Sequence, residues 1–246
     1  MAVAVKFGTY DFGTTVEKYA IRQRPRVKPI VIPKRDGVRA DIAPLGPTEV
    51  TLTGKILKSS NTLLRTEFDN LKAALFKTRD KLTLFDDRFL DCQLTSYGDD
   101  FVPGSAMLAA RYDLSFLAEL PFLQSVALNS NSQTVTISPT TWTVTPAGNI
   151  RTRPTLRITN NSGADIVNNL KIENLTFSKA LVFTGTLKTT NTLIIDMQAR
   201  SIQNAGVEDL TNWQGEFWEL AVGANSLKYT GGITVAVVTE WRDRYV

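Results

Sequence analysis

Histidine is absent from the 246-residue sequence. Its absence removes the side chain that most often exchanges a proton near neutral pH, and the commonest metal ligand. The single cysteine, Cys92, has no partner for an intrachain disulfide, and no cysteine cluster exists to hold zinc. Cys92 stands at an alternating position in a strand-like run, so a plain buried thiol is expected. No run of about 20 apolar residues is present to span a bilayer, and no membrane association is expected. The first ten residues, MAVAVKFGTY, lack a charged start followed by a long apolar run, so a secretory signal is not expected. These absences together point to a soluble chain made in a reducing compartment. Proline (10) and glycine (15) are too few for a low-complexity or collagen-like chain. Neither sign of charge dominates: 28 Lys and Arg against 24 Asp and Glu give a net +4, far from a dedicated DNA-packaging protein.

Catalytic signatures are equally scarce. Asp86-Asp87 and Asp99-Asp100 are adjacent carboxylates, but neighbours on a strand point to opposite faces and neighbours in a turn both meet water. Neither pair has the separation that glycoside hydrolysis needs. Ser105, in PGSA, lacks the strand-turn-helix frame of a nucleophile elbow, and a Ser-His arrangement has no histidine to use. Asn160 and Asn174 fall in glycosylation sequons, which carry no meaning without secretion. No catalytic residue, cofactor or metal is expected.

The pattern that is present is mostly β. Val50 to Leu57 (VTLTGKIL) alternates apolar and polar residues as a half-buried strand does. Ser59, Ser60 and Asn61 then supply side-chain oxygens suited to a helix N-terminus. A helix is expected over about 61–77, with Leu64, Phe68, Leu71 and Leu75 on one face and Arg65, Asp69, Asn70 and Lys72 on the other. It should cover a sheet. A hairpin from Lys81 to Tyr97, turning at Asp86-Asp87, and a strand carrying Tyr112, Leu114 and Phe116 should complete that sheet.

Residues 21–41 read differently. Basic and apolar residues alternate, Pro25, Pro29 and Pro33 intervene, and Asp36-Gly37 is a strong hairpin turn. Prolines keep such a hairpin out of a sheet's centre, so it must lie at an edge or project. Arg22, Arg24, Arg26, Lys28, Lys34, Arg35 and Arg39 face only Asp36 and Asp41 locally. Two readings stand: an edge guarded by charge and proline, or an arm laid on an acidic neighbour.

From Thr134 onward, short Thr-, Ser- and Asn-rich strands alternate with closely spaced turn residues, the pattern of a β-sandwich. Asn129 to Gln133 (NSNSQ) is the expected linker, giving domains 1–128 and 129–246. All four tryptophans, Trp142, Trp213, Trp218 and Trp241, fall in the second domain. They either fill core and interface or present a sugar-stacking platform; Trp218 and Trp241 are expected to be packed.

The segment Gly215 to Val246 resembles the C-terminal end of siphophage distal tail (Dit) proteins. It carries the glycine-aromatic start, then Leu220, Gly223, Asn225 and Leu227, then Gly231-Gly232 and a closing strand from Val235 to Tyr245. Leu193 to Val207 resembles the hydrophobic-Ile-Asp step that precedes it in the family. VTLTGKI, the helix ending in LKAAL, and SFLAELPF resemble the family's first-domain strand, helix and closing strand.

The resemblance implies a fold and a role. The fold would be a β-sandwich-like N-terminal domain with one covering helix and a projecting hairpin, then a galectin-like β-sandwich. The role would be structural: a homo-hexameric ring at the tip of a long non-contractile tail, made in the host cytoplasm and residing in the virion. One ring face would dock the tail tube protein and the other the tail-associated hub or fibre protein. Receptor-binding proteins would attach at the periphery, and DNA would pass through a central channel without specific binding. The hairpin, Ile30 to Arg39, would then cross a subunit interface, with Ile30, Val31, Ile32 and Val38 as the buried contact and Arg22, Arg24, Lys28, Lys34 and Arg35 setting orientation against an acidic face. The compact second domain leaves no room for the inserted carbohydrate-binding module that some relatives carry. The alternative function is a carbohydrate-binding β-sandwich module.

Overall fold

A computed structural model describes residues 5–31, 38–77, 79–85, 87–101, 108–167, 170–209 and 211–246. The chain forms two compact units, Met1–Val126 and Ala127–Val246. In the first unit the strands are β1 (Lys6–Phe7), β2 (Tyr10–Asp11), β3 (Val16–Val31), β4 (Val38–Leu57), β5 (Asp80–Leu84), β6 (Arg88–Phe101), β7 (Ala109–Ala118) and β8 (Leu123–Ser125). They form one antiparallel sheet in the order β2-β1-β5-β6-β7-β4-β3, with β8 paired to β6. The alternation seen in the sequence sets which face is buried: Val50, Leu52, Tyr112, Leu114 and Phe116 all lie inside.

One α-helix, α1 (Asn61–Leu75), crosses this unit. Ser60 caps it from extended backbone, its Oγ accepting the Leu63 N–H at 3.2 Å. Leu64, Phe68, Leu71, Ala74 and Leu75 are buried, a stripe at helical spacing. Each large apolar side chain so buried contributes about 1.5–3 kcal/mol. The helix ends two residues before the expected boundary. At Phe76 the backbone leaves the helical region (φ −80°, ψ 38°) while its N–H still donates to Lys72 O. The chain must turn there to enter β5 at Asp80, and Phe76 packs its exposed ring against Tyr97.

β4 passes close to β7 at Gly54. A Cβ there would collide with the Tyr112 hydroxyl, which shares a 3.0 Å hydrogen bond with Thr15 Oγ1. Glycine is required by space at this point. Cys92 is buried within β6, and burial first, then the nearby Asp91, pushes its thiol up to about 12. That is the inert thiol its strand position suggests.

The second unit consists of β9 (Asn129–Val135), β10 (Thr140–Val144), β11 (Thr155–Asn160), β12 (Ile166–Val167), β13 (Leu170–Asn174), β14 (Lys179–Phe183), β15 (Thr186–Leu187), β16 (Thr192–Asp196), β17 (Ser201–Asn204), β18 (Val207–Glu208), β19 (Trp213–Gly215), β20 (Asn225–Thr230) and β21 (Val235–Trp241). One sheet runs β10-β20-β13-β14-β19 and the other β18-β17-β16-β11-β21-β9, all antiparallel. Ile172 and Leu227 from the first sheet share a single core with Ile158 and Val237 from the second. This is a β-sandwich.

Residues 129–133 are not a linker. They form most of β9, which pairs with β21 from Val235↔Val135 to Trp241↔Asn129. An edge strand needs backbone partners on one side only and tolerates polar side chains, so a string of Asn, Ser and Gln imitates a connection. The motif Leu220-x-x-Gly223-x-Asn225-x-Leu227 also has a plain structural purpose. Leu220 and Leu227 are core residues, and Gly223 turns the chain at φ +84°. Buried Asn225 accepts the Ala221 N–H at 2.7 Å and donates to the carbonyls of Ala221 (2.9 Å) and Gly223 (2.8 Å). Its amide stands in for the backbone partners that a tight loop lacks.

Candidate assembly interface

The expected arm is a long ribbon. β3 and β4 pair from Val16↔Gly54 to Val31↔Val38, with register shifts around Pro25 where the missing N–H interrupts the ladder. β7 accompanies β4 only from Leu57 to Thr48. Beyond Thr48 the two arm strands pair with each other alone, among the described residues. At the root of the arm, Gln23 Nε2 donates to Pro121 O at 2.7 Å and ties β3 to the segment after β7.

The basic and apolar positions singled out in the sequence fall along this ribbon. Exposed Arg22 sits at the root, opposite Glu49, and Arg24, Arg26 and Lys28 follow along β3. Ile30 is opposite Arg39 and Val31 is opposite Val38. Ile32, Lys34 and Arg35, with the Asp36-Gly37 turn, lie outside the described residues, as do Asp86 and Ser105. Leu64, Phe68, Leu71 and Leu75 lie in the core of the first unit and take no part in this surface.

The opposite end of the same ribbon is acidic. There Gly54 of β4 faces Tyr112 of β7, and Tyr112 faces Asp99 of β6. A shallow pocket of about 280 Å³ is bordered by Glu17, Asp99, Asp100 and Asp113, with Arg111 as its one cation. Asp99 accepts from the Tyr97 hydroxyl at 2.9 Å and from Lys72 Nζ at 3.1 Å. Burial alone would raise the Asp99 carboxyl, but Lys72 and Tyr97 outweigh it and hold it below the ordinary carboxylate value. Among the described residues these carboxylates do not converge as a metal site. At about 3.3 Å per residue, the strand path from Val38 to Gly54 is on the order of 50 Å. The basic stretch of β3 beyond Gln23 and this acidic groove therefore lie toward opposite ends of the β3/β4 ribbon.

In the sequence Asp99-Asp100 shows only as a pair of adjacent carboxylates, and the groove is not legible there. Its members come from β3, β6 and β7, and only the register of the sheet gathers them.

In the second unit, Trp142, Trp218 (2% exposed) and Trp241 (8%) are buried, and Trp213 packs edge-on to Phe217 against the core. Trp241 Nε1 donates to Asp243, whose carboxylate also holds the Asn129 side chain and the Ala147 N–H. The sequon residues Asn160 and Asn174 are fully buried, their amides bonded to Ala164 and Leu187 carbonyls and to Glu219 O.

Residues 147–245 match the family model described as siphovirus-type tail component, C-terminal domain. The whole chain superposes on all of the SPP1 Dit protein with a TM-score of 0.76 at 14% identity. That structure is described as a paradigm of the hub adsorption apparatus in phages infecting Gram-positive bacteria. A weaker likeness links 94% of this chain to 99% of a chain in the phage P2 baseplate activated with Sr, at TM-score 0.49 and 8% identity. In the Ca form of that baseplate the values are 93%, 91%, 0.43 and 8%. No curated protein matches.

Proposed function

For a chain whose residues 147–245 match the siphovirus-type tail component model and whose fold matches Dit from end to end, we propose a structural role at the tail tip. Six copies form a ring at the end of a long non-contractile tail. One face docks the tail tube and the other the hub or fibre protein, receptor-binding proteins attach outside, and DNA passes through the centre. The observation that carries this reading is the pairing of basic arm and acidic groove at opposite ends of the β3/β4 ribbon. A two-stranded ribbon without a third strand is marginal in water and needs a surface to lie on. An arm that reaches the far end of the next copy makes a heterologous contact, the kind that closes into a ring when its rotation allows. The apolar residues Ile30, Val31, Ile32 and Val38 supply buried contact, and the cations set orientation on the carboxylates.

The test combines light scattering with thermal melts. Replacing Ile30 to Arg39 by a short Gly-Ser turn should leave a protomer of unchanged melting temperature and single-chain mass. Asp100→Lys with Asp113→Lys should also dissolve the assembly. A variant without the arm that still gives hexamer mass would overturn the role assigned to the hairpin, as would a wild-type chain that stays monomeric both alone and with tail tube protein.

A further inference from the structure

The second unit holds a different charged pocket. It has a volume of about 270 Å³ and opens between the turns at one end of the sandwich. Arg151, Arg153, Lys179 and Arg200 surround it, against one carboxylate in the lining, Glu219. That carboxylate is already committed: Arg153 reaches Glu219 Oε1 through both Nε and Nη2 at 2.9 Å. Lys179 pairs with Glu216 at the exposed rim, 2.8 Å away, a contact of little strength in water. Arg151 lies over the Phe177 ring at 4.9 Å, which leaves its N–H edge free. Arg200 has no acidic partner among the described residues.

The pocket is built rather than incidental. Asp196 Oδ1 accepts the N–H groups of Gln198 and Ala199, both at 2.8 Å, and the turn they make holds Arg200 at φ +55°. Asn174, itself buried, fixes the chain at Glu219 by donating to its carbonyl. Half-buried Phe217 gives the pocket its aromatic surface, while Met197 and Trp218, which also border it, are core residues. The free groups are thus donors and cations, set beside aromatic surface. They require a ligand rich in acceptors and negative in charge, with an apolar face to stack.

We propose that this pocket binds the carboxylate or phosphate of a ligand of about monosaccharide size. Guanidinium forks from Arg151 and Arg200 recognise the oxyanion, and the exposed part of Phe217 takes the ring. The rim is charged rather than apolar, unlike the centre of a protein-docking surface. A small acidic solute therefore fits better than a peptide segment.

The experiment titrates the full chain with glucuronate, a hexose phosphate, glucose, inorganic phosphate and an Asp-Phe peptide, read by tryptophan fluorescence and calorimetry. Glucuronate or the hexose phosphate should saturate, weaken as salt is added, and outcompete both glucose and inorganic phosphate. Arg151→Ala and Arg200→Asn, the latter chosen because Asn tolerates positive φ, should each weaken binding about tenfold or more. Phe217→Leu, which removes the ring and keeps an apolar side chain, should weaken it with the melt retained. Absence of saturable binding by either acidic sugar, or binding indifferent to both arginine variants, would refute the site. Equal binding of inorganic phosphate would refute the size and stacking claim, and tighter binding of the peptide would transfer the pocket to a protein partner.

Discussion

Glu67, on the exposed side of α1, takes a hydrogen bond from Tyr10 at 2.8 Å and an ion pair from Lys58 at 2.8 Å. The Lys58 contact first, then Tyr10, lowers its carboxyl from the ordinary 4.5. Burial and then Glu67 hold the Tyr10 phenol above its usual range. A carboxyl lowered by folding stabilises the native state above its unfolded pKa, and that contribution is lost as pH falls through the folded value. Melting temperatures of wild type and Glu67→Gln, followed from pH 6 down to about 3, should therefore converge at the acid end. Parallel curves would show that these contacts contribute nothing. Single residues were unevenly legible in the sequence. Cys92 announced itself by strand position. Asn225 stood out as part of a motif, yet its service to the Ala221–Gly223 loop depends on three distances that no spacing encodes.

At the scale of elements, periodicity told most. Leu64, Phe68, Leu71 and Leu75 repeat at helical intervals because one side of α1 meets the sheet, and that side is the buried one. Phe68 is 4% exposed. Phe68→Ala should cost about 3–5 kcal/mol, measured by urea denaturation, through lost burial and the cavity left behind. A cost under about 1 kcal/mol would mean that the helix yields and refills the space. The β3/β4 hairpin was legible for the opposite reason, since its prolines and basic residues forbid a central strand. β9 was misread because an edge strand with a polar sequence carries no apolar alternation to betray it. Its place is dictated by β21, more than ninety residues further along the chain.

At the scale of the molecule, the chain divides into compact units between Val126 and Ala127, several residues before the Thr- and Asn-rich pattern begins at Thr134. Each buries its own large apolar residues, and the sandwich encloses a continuous core of its own. We therefore expect residues 127–246 to fold when produced alone, with a cooperative melt and dispersed amide signals. A fragment that aggregates or shows collapsed amide dispersion would mean that the sandwich borrows stability from the first unit. The acidic groove was invisible at this scale because charges scattered over nearly a hundred positions meet only after the sheet has formed. The proposed ring has a consequence for how assembly would proceed: if it closes arm to groove, every partial assembly keeps one unused arm and one unused groove, and closure satisfies both in a single intramolecular event. The ends already share a high effective concentration, so arcs should be scarce beside free chains and complete rings. A protomer with an intact arm and a spoiled groove could join an arc but could never let it close. A minority of such chains would act as a poison, removing far more rings than their own number.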